Sequence, residues 1–276
     1  MRCIFVAFLF LFFAQQSFAA ETVLQAATFN LWSWGPQIEE RIDNLAKLFA
    51  ENKLIEDSSV IFLQEVLKSE NSNYAQELAD KMNWKSYFQV RVGDSEGLAF
   101  VYKPEVQVMS QEALQLKTAY SSTDYRRVAL SMQVKDAHFG AIRYVNLHLA
   151  HEPYMTQTRK AQLEEVLEWV KKLEEKSASS KIIVGGDFNT GLQENYYQGE
   201  FDALRDSSFG LKNCLSRGAP FTWIDFENGN TENVDYFFVS KKERQEKGDP
   251  SVKILSQVTA QKLSDHNLLL LSLPKD

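Results

Sequence analysis

Lys181-Ile-Ile-Val-Gly-Gly-Asp187-Phe-Asn189-Thr190 is an apolar run that stops at an acid and an amide. Lys181 to Gly185 reads as a buried strand, and its polar residues fall just past the end. The arrangement recurs in both directions along the chain. Thr22 to Asn30 reads as a strand ending in Asn30, within "ATFNLW", and Val60 to Leu63 as one followed by Glu65, within "IFLQEV". Asn146 and His148 sit in "YVNLHLAH", on a strand read from Ile142 to Leu149. Asp235 lies in "NVDYFFVS", on the strand Val234 to Val239, and Asp265-His266 precede the strand Leu268 to Leu273 in "SDHNLLLLSL". Strands ending at one edge of a sheet are a common way to build a site from distant sequence. An Asn or Asp after any one strand is usually a turn former. Six strands that each deliver an acid, amide or imidazole point instead to a shared site.

Between these strands the chain alternates helices and further strands. Ile38 to Phe49 has Ile38, Ile42, Leu45, Leu48 and Phe49 at the spacing of a helix face. Tyr74 to Met82 reads as a second helix. Thr156 to Lys176, with Leu163, Val166, Leu167, Val170 and Leu173, reads as a long amphipathic one. Strands are expected at Gly97 to Tyr102, Val106 to Leu114 and Val128 to Val134. There is no strict βαβ rhythm, no internal repeat and no Pro- or Gly-rich linker. The pattern implies a mixed α/β architecture with sheets in the middle and helices outside.

The first residues read differently. Arg2 supplies a positive start, Cys3 to Phe13 are almost unbroken apolar, and Ser17-Phe18-Ala19 offers small residues for cleavage. That is the pattern of a secretory signal peptide over residues 1–19, and the run is short for a membrane span. The expectation is a secreted or periplasmic protein. Removing the signal takes Cys3 and leaves Cys214 with no intramolecular partner, so no disulfide framework exists. The net charge of −7 becomes one unit more negative without Arg2. Such a surface does not attract polyanions globally; a nucleic acid or anionic lipid would need a local basic patch or a metal.

The residue types at the strand ends suit phosphodiester hydrolysis. That reaction needs charge stabilised on phosphoryl oxygens, a water aimed, and a leaving oxygen protonated. A carboxylate and an amide oxygen suit a hard cation such as Mg²⁺, and imidazoles with carboxylate partners can divide base and acid work. With only His138, His148, His151 and His266, and no cysteine cluster, a structural zinc site is not expected.

In order and spacing, "FNLW", "LQEV", "NLHL", "GGDFN", "VDYFFVS" and the late "SDH" resemble the endonuclease/exonuclease/phosphatase superfamily, the fold of deoxyribonuclease I and neutral sphingomyelinases. The resemblance covers Thr22 to Leu273 and implies one catalytic domain, residues 20–276. Its fold would be a four-layer α/β sandwich: two packed, mostly antiparallel sheets with helices on both outer faces. It implies metal binding by Glu65, supported by Asn30 and Asp265, with Mg²⁺ (or Mn²⁺) as cofactor. Asp187 and Asn189 would orient the attacking water and hold the phosphate. His266 would be the general base, held by Asp235, and His148 the acid or a phosphate donor. "EGLAFVYKP" resembles the strand carrying a carboxylate partner of that first histidine, which nominates Glu96; an exposed loop acid is the other reading. "YRRVAL" resembles a segment with a phosphate-binding arginine, Arg127 or alternatively Arg126. His138 and His151 are expected at the surface. Exonuclease III-type enzymes have an Asp where this chain has Trp32, and no His at the position of His148. The disulfides of pancreatic-type deoxyribonucleases are absent.

Two substrate classes follow. A nuclease cleaving DNA or RNA is favoured by Glu96, the Arg126-Arg127 pair and the "FN" and "LQEV" segments. A phospholipid phosphodiesterase is the alternative: "NLWSWGPQ" and Glu152 resemble sphingomyelinase segments, and Trp32, Trp34, Tyr196, Tyr197 and Phe221 could line a lipid-facing rim. A phosphatase or a non-catalytic binding module ranks below both, since the expected catalytic positions are filled. No stable protein partner is implied, and a monomer is expected.

Overall fold

A computed structural model describes residues 22–119, 126–151, 153–191, 199, 201–216, 218–240 and 249–274. The expected signal peptide, Glu152, Tyr196 and Tyr197 lie outside the described residues. In chain order the elements are β1 (Thr22–Asn30), α1 (Ile38–Glu51), α2 (Lys53–Glu56), β2 (Val60–Leu67), α3 (Tyr74–Met82), β3 (Lys85–Val90), β4 (Glu96–Tyr102) and β5 (Gln107–Gln115). There follow β6 (Val128–Asp136), β7 (Gly140–His148), α4 (Thr156–Lys176), β8 (Lys181–Asp187), α5 (Asp202–Asp206), β9 (Leu211–Asn213), β10 (Trp223–Ile224) and β11 (Thr231–Glu232). The chain closes with β12 (Asp235–Ser240), β13 (Ser251–Leu255), α6 (Gln257–Ala260) and β14 (Leu268–Pro274).

Two six-stranded sheets carry the architecture, in the orders β13-β14-β1-β2-β4-β3 and β5-β6-β7-β8-β12-β9. Each holds one parallel pair, β1 with β2 and β7 with β8, among antiparallel neighbours. Alternation along the strands sorts side chains into three apolar layers. Ala27, Phe29, Ile61 and Leu63 meet Ile42, Leu45 and Phe49 of α1 and Leu78 of α3. Leu24, Ala26, Val60 and Phe62 face Leu130, Met132, Tyr144 and Phe237 between the sheets. Val145, Leu147, Ile182 and Val184 meet Leu163, Val166 and Val170 of α4. Three layers between four tiers is the expected four-layer sandwich. Edge strands β3 and β13, absent from the sequence reading, are largely half-exposed and so lack a buried strand's apolar run.

Phe62 anchors the middle layer. It is fully buried, with edge-on rings of Phe100 at 4.9 Å, and Tyr144 and Phe237 at 5.5 Å. Phe62→Ala is expected to cost about 3–5 kcal/mol, since the surrounding rings cannot collapse into the cavity. Urea unfolding should show a lowered midpoint with unchanged slope; a loss under about 1 kcal/mol would mean the layer repacks freely.

The two glycines of "GGDFN" have steric reasons. A Cβ on Gly185 would lie 2.5 Å from the Phe237 ring. Gly186, at φ +135°, would put one 2.1 Å from the Leu147 carbonyl oxygen. Glycine therefore lets β8 pack close against the Phe237 ring of β12 and the Leu147 backbone of β7, next to the polar residues these strands carry.

Candidate active site

Register builds half of the site. Across β7, β8 and β12, His148 pairs with Asp187 and Asp187 with Asp235, one functional residue per strand in a row. The other sheet supplies Asn30 at the end of β1 and Glu65 on β2. A bulge between Leu63 and Val66, with Glu65 at φ 54°, interrupts β2 there. Left-handed backbone at a non-glycine residue costs about 1–3 kcal/mol and persists only where surroundings hold it. Here the Glu65 carboxylate accepts from the Asn30 amide at 3.1 Å and from both the N–H and hydroxyl of Ser33 at 2.8 Å. Asn146 braces the bulge from below: its amide donates to the Leu63 and Ala99 carbonyls, and its oxygen accepts from Gln64 at 2.7 Å.

Asp187 lies at the centre. Its Oδ1 accepts the Asn189 N–H at 2.8 Å, and its Oδ2 accepts the Asn30 amide at 3.0 Å. The same Oδ2 is 3.6 Å from His148 Nε2 and 3.8 Å from His266 Nε2, so one imidazole from the end of β7 and one from the segment before β14 converge on one carboxylate oxygen. His266 Nδ1 lies 2.8 Å from Asp235 Oδ2, while Asp235 Oδ1 is buried without a hydrogen-bond partner among the described residues. Asn189 adopts φ 51°, which asparagine tolerates, and its amide donates to the Leu149 carbonyl at 3.0 Å. Asp265 accepts the Trp223 indole N–H at 3.1 Å.

On the far side Glu96 is buried as the first residue of β4, so the loop-acid reading does not hold. Its distance to His148 Nδ1 is 3.9 Å, too long for a hydrogen bond. Glu96 instead meets Arg91 at 2.8 Å and the Ser33 hydroxyl at 2.9 Å. Arg127 is buried, with Nη1 3.2 Å from both His148 ring nitrogens and Nη2 3.5 Å from His151 Nδ1. Arg126 is exposed, as are His138 and His151. Trp34 is exposed, whereas Trp32 packs tilted on Phe226 at 5.5 Å beneath the Arg41 guanidinium; Phe221 is half-buried.

Charge is crowded here. Burial pushes Asp187 up to about 7, reinforced by Asp235 and Glu65. Burial likewise pushes Glu96 up to about 7, with Glu65 adding to it and Arg91 opposing. Asp265 is also raised by burial, again with a contribution from Glu65. Burial acts to lower His266, but Asp235, Asp265 and Asp187 outweigh it and bring the imidazole up to about 10. His148 is held well below its usual range by burial and then by Arg127 and Arg91. Glu65 thus repels three neighbouring acids, which is where a hard dication would relieve the most charge. Glu65 and Asp265 offer carboxylate oxygens, the donor type such an ion takes. Asn30 uses its amide on the two carboxylates and its oxygen on the Trp32 N–H at 2.9 Å. Asp187, Asp235 and His266 also bring one donor atom each within 4.8 Å of one another. The short Asp235–His266 bond there is the geometry of an oriented imidazole.

Three contributors escaped the sequence reading: Ser33, Arg91 and Trp223. Each lies in a loop or at the tip of a two-residue strand, where no periodicity marks a side chain.

Comparison with known proteins gives this arrangement a family. The endonuclease/exonuclease/phosphatase family profile matches residues 27–266. The chain belongs to that family of metal-dependent phosphoric diester hydrolases. Among solved structures, an endonuclease/exonuclease/phosphatase from Bacteroides vulgatus is 22% identical with TM-score 0.70, covering 93% of this chain and 100% of its own. The human nocturnin catalytic domain with bound sulfate is 18% identical with TM-score 0.66, covering 91% and 93%. Beta toxin from Staphylococcus aureus is 15% identical with TM-score 0.70, covering 90% and 99%. These likenesses establish the fold. A comparison with curated proteins finds no match.

Proposed function

We propose that the chain is an exported phosphodiesterase using Mg²⁺ or Mn²⁺ to hydrolyse nucleic-acid phosphodiesters, acting as a monomer. The carrying observation is the pair of imidazoles, His148 and His266, that reach the same Asp187 oxygen. Glu65 and Asp265 supply oxygen donors for the cation, with Asn30 steadying Glu65. The bound cation would neutralise phosphoryl oxygens and stabilise the charge that develops on them. Arg127 and His148 seat the phosphate. His148 is uncharged, so it offers an N–H rather than a charge. Asp235 accepts the Nδ1–H of His266 and leaves Nε2 to take a proton from the water that Asp187 and Asn189 orient. Neutralising Asp265 removes one of the charges that raise His266, returning it toward the range where it accepts that proton. Arg91 is taken up by Glu96, so the buried Arg127 guanidinium beside His148 is the local cation of the seat inside an acidic chain, which supports a substrate phosphate there.

A second reading has its own observation. Of the four exposed large hydrophobics among the described residues, three flank site loops: Trp34 beside Ser33, Val92 beside Arg91, and Tyr154 near His151. An apolar rim around a phosphodiester site suits a phospholipid surface. Purified protein should be assayed with Mg²⁺ on plasmid DNA, RNA and sphingomyelin vesicles. Cleavage of DNA or RNA is the expected result. Hydrolysis confined to vesicles, and lost in Trp34→Ala while a soluble diester is still cleaved, would replace the nucleic-acid reading with the lipid one.

A further inference from the structure

We propose that Ser33 is a positioning residue that fixes Glu65 for the cation and ties it to Glu96 on the phosphate side. The inference rests on the metal-dependent reading of the site. Ser33 gives Glu65 Oε2 two contacts, from its N–H and its hydroxyl, both at 2.8 Å. The hydroxyl also lies 2.9 Å from Glu96 Oε2. A hydroxyl has one proton and two lone pairs. The hydroxyl proton serves one carboxylate at a time, and when it turns to Glu96 the Ser33 N–H still holds Glu65. Two acids from adjacent strands, β2 and β4, are thereby spanned by one small side chain.

The loop carrying Ser33 is itself pinned. Arg41, a buried cation on α1, donates to the carbonyls of Leu31 at 2.7 Å, Trp32 and Pro36 at 2.8 Å, and Leu263 at 2.9 Å. One guanidinium thus ties the Ser33 loop to the segment leading into Asp265. Residues that hydrogen-bond a metal ligand orient it, and their loss costs about 10–100-fold in metal affinity. Ser33 is half-buried, and Ser33→Ala deletes a single hydroxyl while keeping the N–H contact, so the fold should persist.

The test is direct Mn²⁺ binding to the purified protein, followed by electron paramagnetic resonance of free Mn²⁺, with melting temperature as a control. Wild type should bind, and Glu65→Gln should not. Ser33→Ala should bind about 10-fold more weakly at an unchanged melting temperature, and Ser33→Thr, which keeps the hydroxyl, should recover most of the affinity. Equal Mn²⁺ affinity in wild type and Ser33→Ala overturns the positioning role and leaves the metal reading standing. No Mn²⁺ binding by wild type overturns both. Weakening by Ser33→Ala that Ser33→Thr fails to recover, or that follows a lowered melting temperature, assigns the effect to loop packing and rejects the proposal.

Discussion

Replacing His266 by alanine is expected to lower turnover by about 10²–10⁴, the range for a positioned acid–base group. Asp235, at the start of β12, reaches His266 in the segment before β14 and binds its Nδ1 at 2.8 Å, with both side chains buried. That contact fixes the tautomer and stabilises the imidazolium formed when a water gives up its proton. Asp235→Asn should therefore lose a sizeable part of the same factor. The double variant should be little worse than His266→Ala alone, because residues acting as one unit are not additive. Rates should be taken on a soluble phosphodiester at saturating Mg²⁺, with circular dichroism showing that each variant is folded. Near-normal turnover in both single variants, or losses that multiply, would remove the pair from the mechanism.

Chelation is expected to have an effect of similar size. EDTA should abolish turnover, and Mg²⁺ or Mn²⁺ should restore it. Lewis-acid stabilisation worth several kcal/mol corresponds to about 10³-fold or more in rate. Glu65→Gln keeps the size of the side chain and can keep the Ser33 contacts through its one oxygen, but it gives up acceptance from Asn30 and removes the charge that repels Glu96, Asp187 and Asp265. It should need far more Mg²⁺ for half-maximal rate, or lose turnover, with circular dichroism showing that it is folded. Full activity in chelator would reject the metal role; a Glu65→Gln protein with wild-type Mg²⁺ dependence would move the ion to other ligands.

The sequence was most legible where burial is one-sided or complete. α3 and α4 have the bounds their apolar spacing predicts, Tyr74–Met82 and Thr156–Lys176. The central strands β1, β2, β4, β6, β7, β8, β12 and β14 announce themselves as apolar runs because core covers both faces. Edge strands have water on one side and carry no such run: β3 and β13 went unread, although β5, also at an edge, was expected at Val106 to Leu114.

By itself, the sequence determined the mixed α/β class, the alternation that sorts side chains into layers, and the polar residues at strand ends. Those properties are local, because a strand's periodicity and the place where it stops are written in consecutive residues. Only the tertiary structure decided which polar residues meet. The β7–β8–β12 register sets His148, Asp187 and Asp235 in a row, and sheet packing brings Asn30 to Asp187 across 157 positions. It also decided that Glu96 pairs with Arg91 and Ser33 rather than bonding His148. The physical reason is that such pairings depend on register and on loops such as the one Arg41 pins. A carboxylate's partner is set by which donors lie within about 3 Å in space, and chain spacing carries no record of that distance.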